Sequence, residues 1–191
     1  MEKTRYFVKN HFYPWKINLT PPQIIALKDY SGVLYKEINT DLLNNSASSS
    51  LHFNTIKLLD SSLTHTPPQN IKFFRSEKKL DSIEDILLTL EASMEIGKPY
   101  PNFISTSFNP NVALRHISIA RLDFLPYTYT FFTLSASSKV KCGYLDEDLS
   151  SRNGTEDEIL FGRSYVLKIK NFKLKDDFDD VIEIKGKIEF I

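Results

Sequence analysis

Cysteine is nearly absent: Cys142 stands alone in 191 residues. No disulfide can therefore form within the chain, and the expected working compartment is a reducing one such as a cytosol. Glycine is scarce too, with six in the chain. Neither a Gly-x-Gly-x-x-Gly turn nor a glycine-rich loop ending in Lys-Ser or Lys-Thr occurs, which excludes the two commonest phosphate-cradling motifs. An excess of one charge is missing as well. Lys plus Arg and Asp plus Glu both number 24, so the chain lacks the basic surplus of a non-specific nucleic-acid binder, and no nucleic-acid partner is expected. No stretch approaches the roughly 20 uncharged apolar residues of a membrane helix. Residues 124–136 are short and broken by Pro126 and several threonines, so no membrane insertion is expected. Residues 1–19 mix Glu2, Lys3, Arg5, Lys9 and Lys16 among aromatics and lack the apolar core of a Sec-type signal. The histidines His11, His52, His65 and His116 are scattered without i, i+4 spacing, so no metal is expected. No Gly-x-Ser-x-Gly turn occurs, Cys142 reads as a small strand hydrophobe, and His116, beside Arg115 in a helical stretch, reads as a surface or packing residue.

What is abundant is ring surface: 14 Phe, 9 Tyr and one Trp, within 41% hydrophobic content. That is the profile of a single folded domain over residues 1–191, which at this length hides roughly 70% of its unfolded surface. Thr20 reads as an N-cap with Pro21 in the first helical turn. Ile24, Ile25, Leu27, Tyr30, Leu34 and Ile38 recur three and four apart, predicting a helix over 21–39 with a break at Ser31-Gly32. A loop over 44–50 precedes a second helix over 51–63. A strand over 71–75, a helix over 81–95 and a helix over 110–121 follow. Strands are predicted over 103–107, 127–136, 140–145, 158–160, 164–174 and 181–191. Helices first and strands later point to an α+β domain with a largely antiparallel sheet.

Three short elements carry chemistry: Phe73-Phe74-Arg75 at a strand end, Ser105-Thr106-Ser107 within a strand, and Glu156-Asp157-Glu158 ahead of Ile159-Leu160. Around them stand Tyr30, Tyr35 and Asn39 on the early helix and Gly143-Tyr144-Leu145 before the glutamates. In this order they resemble the R-S-E class of mono-ADP-ribosyltransferases, the resemblance running over roughly residues 19–169. It implies an ADP-ribosyltransferase-like fold, N-terminal helices followed by a mixed, largely antiparallel β core of two packed sheets around a cleft for NAD, the co-substrate.

The resemblance assigns roles residue by residue. Glu158, Glu156 and Ser105 form the catalytic set. Glu158 accepts a hydrogen bond from a ribose hydroxyl and stabilises the cation left when nicotinamide departs, and Ser105 positions that carboxylate. Arg75 grips the NAD phosphates, its planar fork suiting phosphate oxygens better than an ammonium. The Ser76 backbone meets the nicotinamide amide, and Thr106 and Ser107 complete the strand beneath the nicotinamide. Phe108 and Arg121 fit stacking on NAD or pairing with it, and fit helix packing and surface charge nearly as well. Tyr35 reads as a cleft tyrosine, whereas Tyr30 fits the cleft and the core equally well. If residues 156–158 are extended, Glu156 and Glu158 point to one face. A first glutamate in this pair goes with arginine acceptors, because a carboxylate orients a guanidinium and helps remove its proton.

The implied partner is a protein carrying an acceptor arginine, with actin, a small GTPase or another host protein as candidates, reached in a host cytosol after secretion or injection. Two other readings are an NAD glycohydrolase using the same site and an interaction module of the same fold without catalysis. The acids Asp146-Glu147-Asp148 either recognise a basic acceptor surface or form a solvated run.

Overall fold

Val8, Phe12 and Trp15, spaced four and three apart, bury one face of an amino-terminal helix, α1 (Glu2–Lys16), that the sequence pattern did not disclose. Pro14 inside it and the many exposed aromatics mask its period. The computed structural model describes residues 1–44, 46–122, 126–151, 157–176 and 178–190. The predicted helix over 21–39 begins at Pro21, where Gln23 Oε1 accepts from the Thr20 N–H at 2.9 Å. It divides where expected: α2 (Pro21–Asp29) passes through a π-helical turn, Tyr30–Leu34, into α3 (Tyr35–Leu43). Gly32 lies in that turn because a Cβ there would stand 2.6 Å from Ser151 Oγ. α4 (Phe53–Ser62), β1 (Phe73–Lys79) and α5 (Ile83–Ile96) follow. Ser82 Oγ caps α5 by accepting from the Asp85 N–H, and Gly97 ends it with φ at +79°.

The rest of the chain is β2 (Lys98–Tyr100), β3 (Ile104–Ser107), α6 (Pro110–Ala120), β4 (Thr128–Ala136), β5 (Cys142–Leu145), β6 (Glu158–Phe161), β7 (Tyr165–Lys175) and β8 (Phe178–Phe190). β2 was not expected. It is short, contains Pro99 and pairs only with β7, as a proline-bearing strand at a sheet edge does.

The strands join in one ladder of eight, ordered β2-β7-β8-β4-β1-β3-β6-β5. Among the described residues only β4 and β8 pair in parallel, so the antiparallel expectation holds. The expected two sheets appear as two halves of this continuous ladder, hinged between β1 and β3, which share the single pair Phe74↔Ser107. The larger core fills the side covered by α1 to α5 and includes Phe73 and Phe161 packed edge to face with centroids 5.1 Å apart. On the opposite side α6 seals a smaller core of Ala113, Ile117, Tyr129, Phe131 and Val181. β1 serves both: Phe73 enters the larger core and Phe74, one residue on, faces the smaller.

α1 closes the larger core by laying Trp15 over β5, its indole N–H donating to Ser62 O at 2.6 Å. Contact is so close that a Cβ on Gly143 would lie 2.4 Å from Trp15 Cζ2 and 2.6 Å from Cη2. Gly143→Ala is therefore predicted to destabilise the protein by about 1–3 kcal/mol, the usual range for overpacking a filled core. Urea unfolding followed by Trp15 fluorescence checks this, and an unchanged midpoint would show that α1 is not tightly seated.

Candidate functional site

The hinge between the sheet halves opens a cleft holding about 870 Å³ of open space, solvent at its mouth included. β1, β3 and β6 each present one of the three predicted elements to it: Arg75, Ser105 and Glu158 all line its wall. Glu158 pairs with Ser107 and Ser105 with Leu160, so Ser105 and Glu158 are diagonal neighbours on one face of the sheet. Ser105 Oγ donates to Glu158 Oε1 at 2.6 Å. Glu158 is itself almost wholly buried, at 4% exposure.

Arg75 is bound more firmly than a free phosphate-gripping arm would be. Its Nη1 donates to Ser105 O at 2.8 Å and its Nε to Glu77 Oε1 at 3.0 Å. The first ties β1 to β3 beside their single registered pair, the second lies within β1, and together they occupy two of the guanidinium's five donors. Glu77, which the sequence reading did not single out, is the anchor. Its carboxylate also meets the Tyr100 hydroxyl at 3.3 Å and Lys98 Nζ at 3.6 Å. Burial pushes the Glu77 carboxyl up, but the Arg75 and Lys98 cations outweigh it and hold the group down at about 2. Burial and the Glu77 carboxylate both push the Tyr100 phenol up, so it stays a neutral donor.

Tyr30 satisfies both of its readings. Its ring is 1% exposed and packs edge to face on Phe103 at 5.4 Å, yet it also lines the cleft, with Asn39 Nδ2 donating to its hydroxyl at 3.0 Å. Tyr35 and Ser76 line the cleft as well. Thr106 and Ser107 do too, but their hydroxyls serve the scaffold: Thr106 Oγ1 donates to Ile159 O at 3.0 Å, and Ser107 Oγ accepts from the Asn109 N–H at 3.0 Å.

Three expectations need correction. Phe108 does not line the cleft: at 4% exposure it lies in the larger core, its ring 5.9 Å from that of Tyr144, because the chain turns toward α6 directly after β3. Arg121 ion-pairs with Asp180 and lies over the Phe178 ring at 4.5 Å, also outside the cleft. His116 is an exposed residue of α6, in keeping with its surface reading, and it also lines the cleft, with Val112 and Ala113. The alternation rule does not run through Asp157, whose φ of +47° is left-handed rather than extended. Glu156 lies outside the described residues. Of the acids of 146–148, read as solvated or acceptor-facing, Glu147 and Asp148 are exposed, as the solvated reading has it, while Asp146 is buried, and all three pair with lysines of α1. Lys16 Nζ meets both Asp146 and Asp148 at 2.6 Å, and Lys9 Nζ meets Glu147 at 2.7 Å. Cys142 is a fully buried strand residue, as read.

A family model described as ADP-ribosyltransferase exoenzyme matches residues 4–188. No curated protein sequence matches the chain. Among solved structures, an ADP-ribosyltransferase of Clostridium botulinum superposes with a TM-score of 0.74 at 20% identity, over 99% of this chain and 96% of that one. A second such structure, from S. aureus and solved with NAD, gives 0.70 at 17% identity over 97% and 94%. The Vis ADP-ribosyltransferase of Vibrio splendidus, solved with agmatine, gives 0.64 at 18% identity over 98% and 85%.

The depressed Glu77 carboxyl predicts how stability responds to acid. A group held at about 2 in the folded state and ordinary, at 4.5, when unfolded contributes fully above pH 4.5. The contribution is lost as pH falls from there toward 2. Glu77→Gln should lower the melting temperature at neutral pH and flatten its decline across that acid window. An unchanged acid limb would show that Glu77 is not the anchor of Arg75.

Proposed function

The chain belongs to the ADP-ribosyltransferase exoenzyme family, and from that premise we propose that it transfers ADP-ribose from NAD to an arginine of a target protein, releasing nicotinamide, as a toxin acting in a host cytosol. The observation that carries the reading is the hydrogen bond from Ser105 Oγ to Glu158 Oε1 at 2.6 Å on the cleft wall. The cleft's side chains fit a dinucleotide by their chemistry: Arg75 offers donors for phosphate, Tyr30 and Tyr35 offer ring surface, and Glu158 offers a carboxylate for a ribose hydroxyl.

NAD supplies the ribosyl group, with nicotinamide as leaving group. The chain's own residues do the rest. When the glycosidic carbon–nitrogen bond breaks, its electron pair leaves with nicotinamide and positive charge develops on the ribose. A buried, preoriented carboxylate stabilises that charge more strongly than water does. Ser105 holds Glu158 in one rotamer, so no reorganisation is needed as the charge appears. An arginine nitrogen then bonds to the ribose carbon, and Glu156 accepts the proton that nitrogen gives up. Two carboxylates, one for the ribose and one for the guanidinium, support arginine as acceptor. Vis, a structural relative solved with agmatine, a guanidinium compound, lends this further support.

Incubation with labelled NAD and a host-cell lysate tests the reading. The wild type should release nicotinamide and label a protein, with the label removable by conditions that cleave arginine-linked ADP-ribose. Glu158→Gln should lower both signals by about 100- to 1000-fold, as loss of a transition-state stabiliser does. Ser105→Ala should cost about 10- to 100-fold, the range for a charge-assisted hydrogen bond. Glu156→Gln should spare nicotinamide release while abolishing the label. Nicotinamide release with no labelled protein in any lysate would point instead to an NAD glycohydrolase, and equal activity in wild type and Glu158→Gln would refute the site.

A further inference from the structure

Asp157 lies between the two glutamates in sequence, and its surroundings are unlike those of a loop residue. It is 0% exposed, and its φ of +47° is a left-handed conformation that few non-glycine residues hold without support. A carboxylate so deeply buried must be paired. The partner comes from the far end of the sequence. Arg5 Nε donates to Asp157 Oδ1 and Arg5 Nη2 to Oδ2, both at 2.7 Å, a planar two-bond fork that fixes the carboxylate's orientation as well as its charge. The Tyr144 hydroxyl lies 3.4 Å from Oδ1. None of the three lines the cleft.

Arg5 is one end of a stripe. With Lys9 and Lys16, spaced four and seven residues on, it runs along the face of α1 turned toward the chain that leads from β5 to β6. Lys16 and Lys9 hold the start of that chain through Asp146, Glu147 and Asp148, and Arg5 holds its end at Asp157. The apolar stripe beside it seats α1, with Phe12 against Tyr144 at 6.1 Å between ring centroids. Ser31 of the π-helical turn grips the same chain from the cleft side, its Oγ accepting from the Ser151 N–H at 2.9 Å.

We propose that Arg5 is a positioning residue for ADP-ribose transfer. By gripping Asp157 it holds the left-handed backbone from which Glu158 enters the cleft. The proposal rests on the transfer reading above. Glu158 starts β6, so its side-chain direction is set by the backbone of Asp157 immediately before it, and the 2.6 Å contact with Ser105 tolerates little rotation there. A displacement of about 1 Å at a reacting group can cost as much as 100-fold in rate.

Arg5→Met tests this, since it keeps the apolar stem and removes the fork. Expected are a fall in kcat for nicotinamide release and for labelling of about 10- to 100-fold per folded molecule, with the KM for NAD within about twofold because the cleft wall is untouched. Arg5→Lys, which keeps the charge on a single donor group, should restore part of kcat. Amide hydrogen exchange at residues 157–159 should speed up in Arg5→Met while β4 and β8 stay protected. Arg163→Met is the control. It removes another two-bond fork, to Asp60, and should leave kcat unchanged whatever it does to melting temperature. Should Arg5→Met fail to fold, Asp157→Asn takes its place with the same expectations. Wild-type kcat in Arg5→Met, or an equal loss in Arg163→Met, overturns the proposal while leaving the transfer reading intact. Absence of both nicotinamide release and labelling in the wild type overturns the transfer reading, and exchange at 157–159 then still decides whether Arg5 holds the turn.

Discussion

Between β1 and β3 the ladder keeps one registered pair, Phe74 opposite Ser107, and beside it the Arg75 guanidinium reaches from one strand to the Ser105 carbonyl of the other. A hinge between two sheet halves with so few backbone bonds would splay without a side chain to span it, and splaying is also what makes room for a cleft. Arg75 resolves the conflict by adding one charged hydrogen bond across the gap, from Nη1 to Ser105 O. It can do so because Glu77, on its own strand, neutralises it where water is largely excluded. The order of strands on either side, and therefore the meeting of Ser105 and Glu158, depends on that bridge.

The arrangement explains why buried charge is tolerated at the centre of the molecule. Glu77 is shared among Arg75, Lys98 and Tyr100, so both of its oxygens face a partner: Oε1 accepts from Arg75 and Tyr100, and Oε2 pairs with Lys98. Lys98 and Tyr100 come from β2, a three-residue edge strand whose place in the fold is otherwise hard to justify. β2 contributes little to the sheet by length and much by delivering a cation and a phenol to this carboxylate. Arg75 thus has two duties, as a bracket for the sheet and as a donor to whatever fills the cleft, and the first keeps it preorganised for the second.

A similar pairing operates outside the cleft. The acids that follow β5 pair with lysines of α1, Asp146 buried and Glu147 and Asp148 still open to solvent. Helix α1 is in this sense part of the site without touching it, and the π-helical turn that places Ser31 and Tyr30 completes the same frame from the cleft side. Widened turns of this kind commonly mark functional places in helices. Here the turn lets Gly32 approach Ser151 closely while Tyr30 reaches both the core and the cleft.

Much of this was legible in the sequence because it depends on local rules. Thr20-Pro21 opened α2, Ser31-Gly32 marked the break, and the strand over 103–107 with its Ser-Thr-Ser lay where alternation put it. The order of Arg75, Ser105 and Glu158 along the chain was enough to identify the three strands that meet. What local rules do not contain is partnership at a distance. Glu77, beyond the predicted strand over 71–75, carried no signal until Lys98 and Arg75 converged on it. Phe108 looked like a ring beside a cleft until the turn into α6 swung it into the core. Asp157 broke the alternation because Arg5, 152 positions away, offsets the cost of a left-handed backbone. The sequence by itself determined most of the helices and strands, though not α1 or β2, since propensity and capping act over a few residues, and its motif order named the three strands that line the cleft. Tertiary structure alone decided which charges are buried, what each is paired with and where each side chain points, because those depend on the summed field and packing of segments that meet only when the chain is folded.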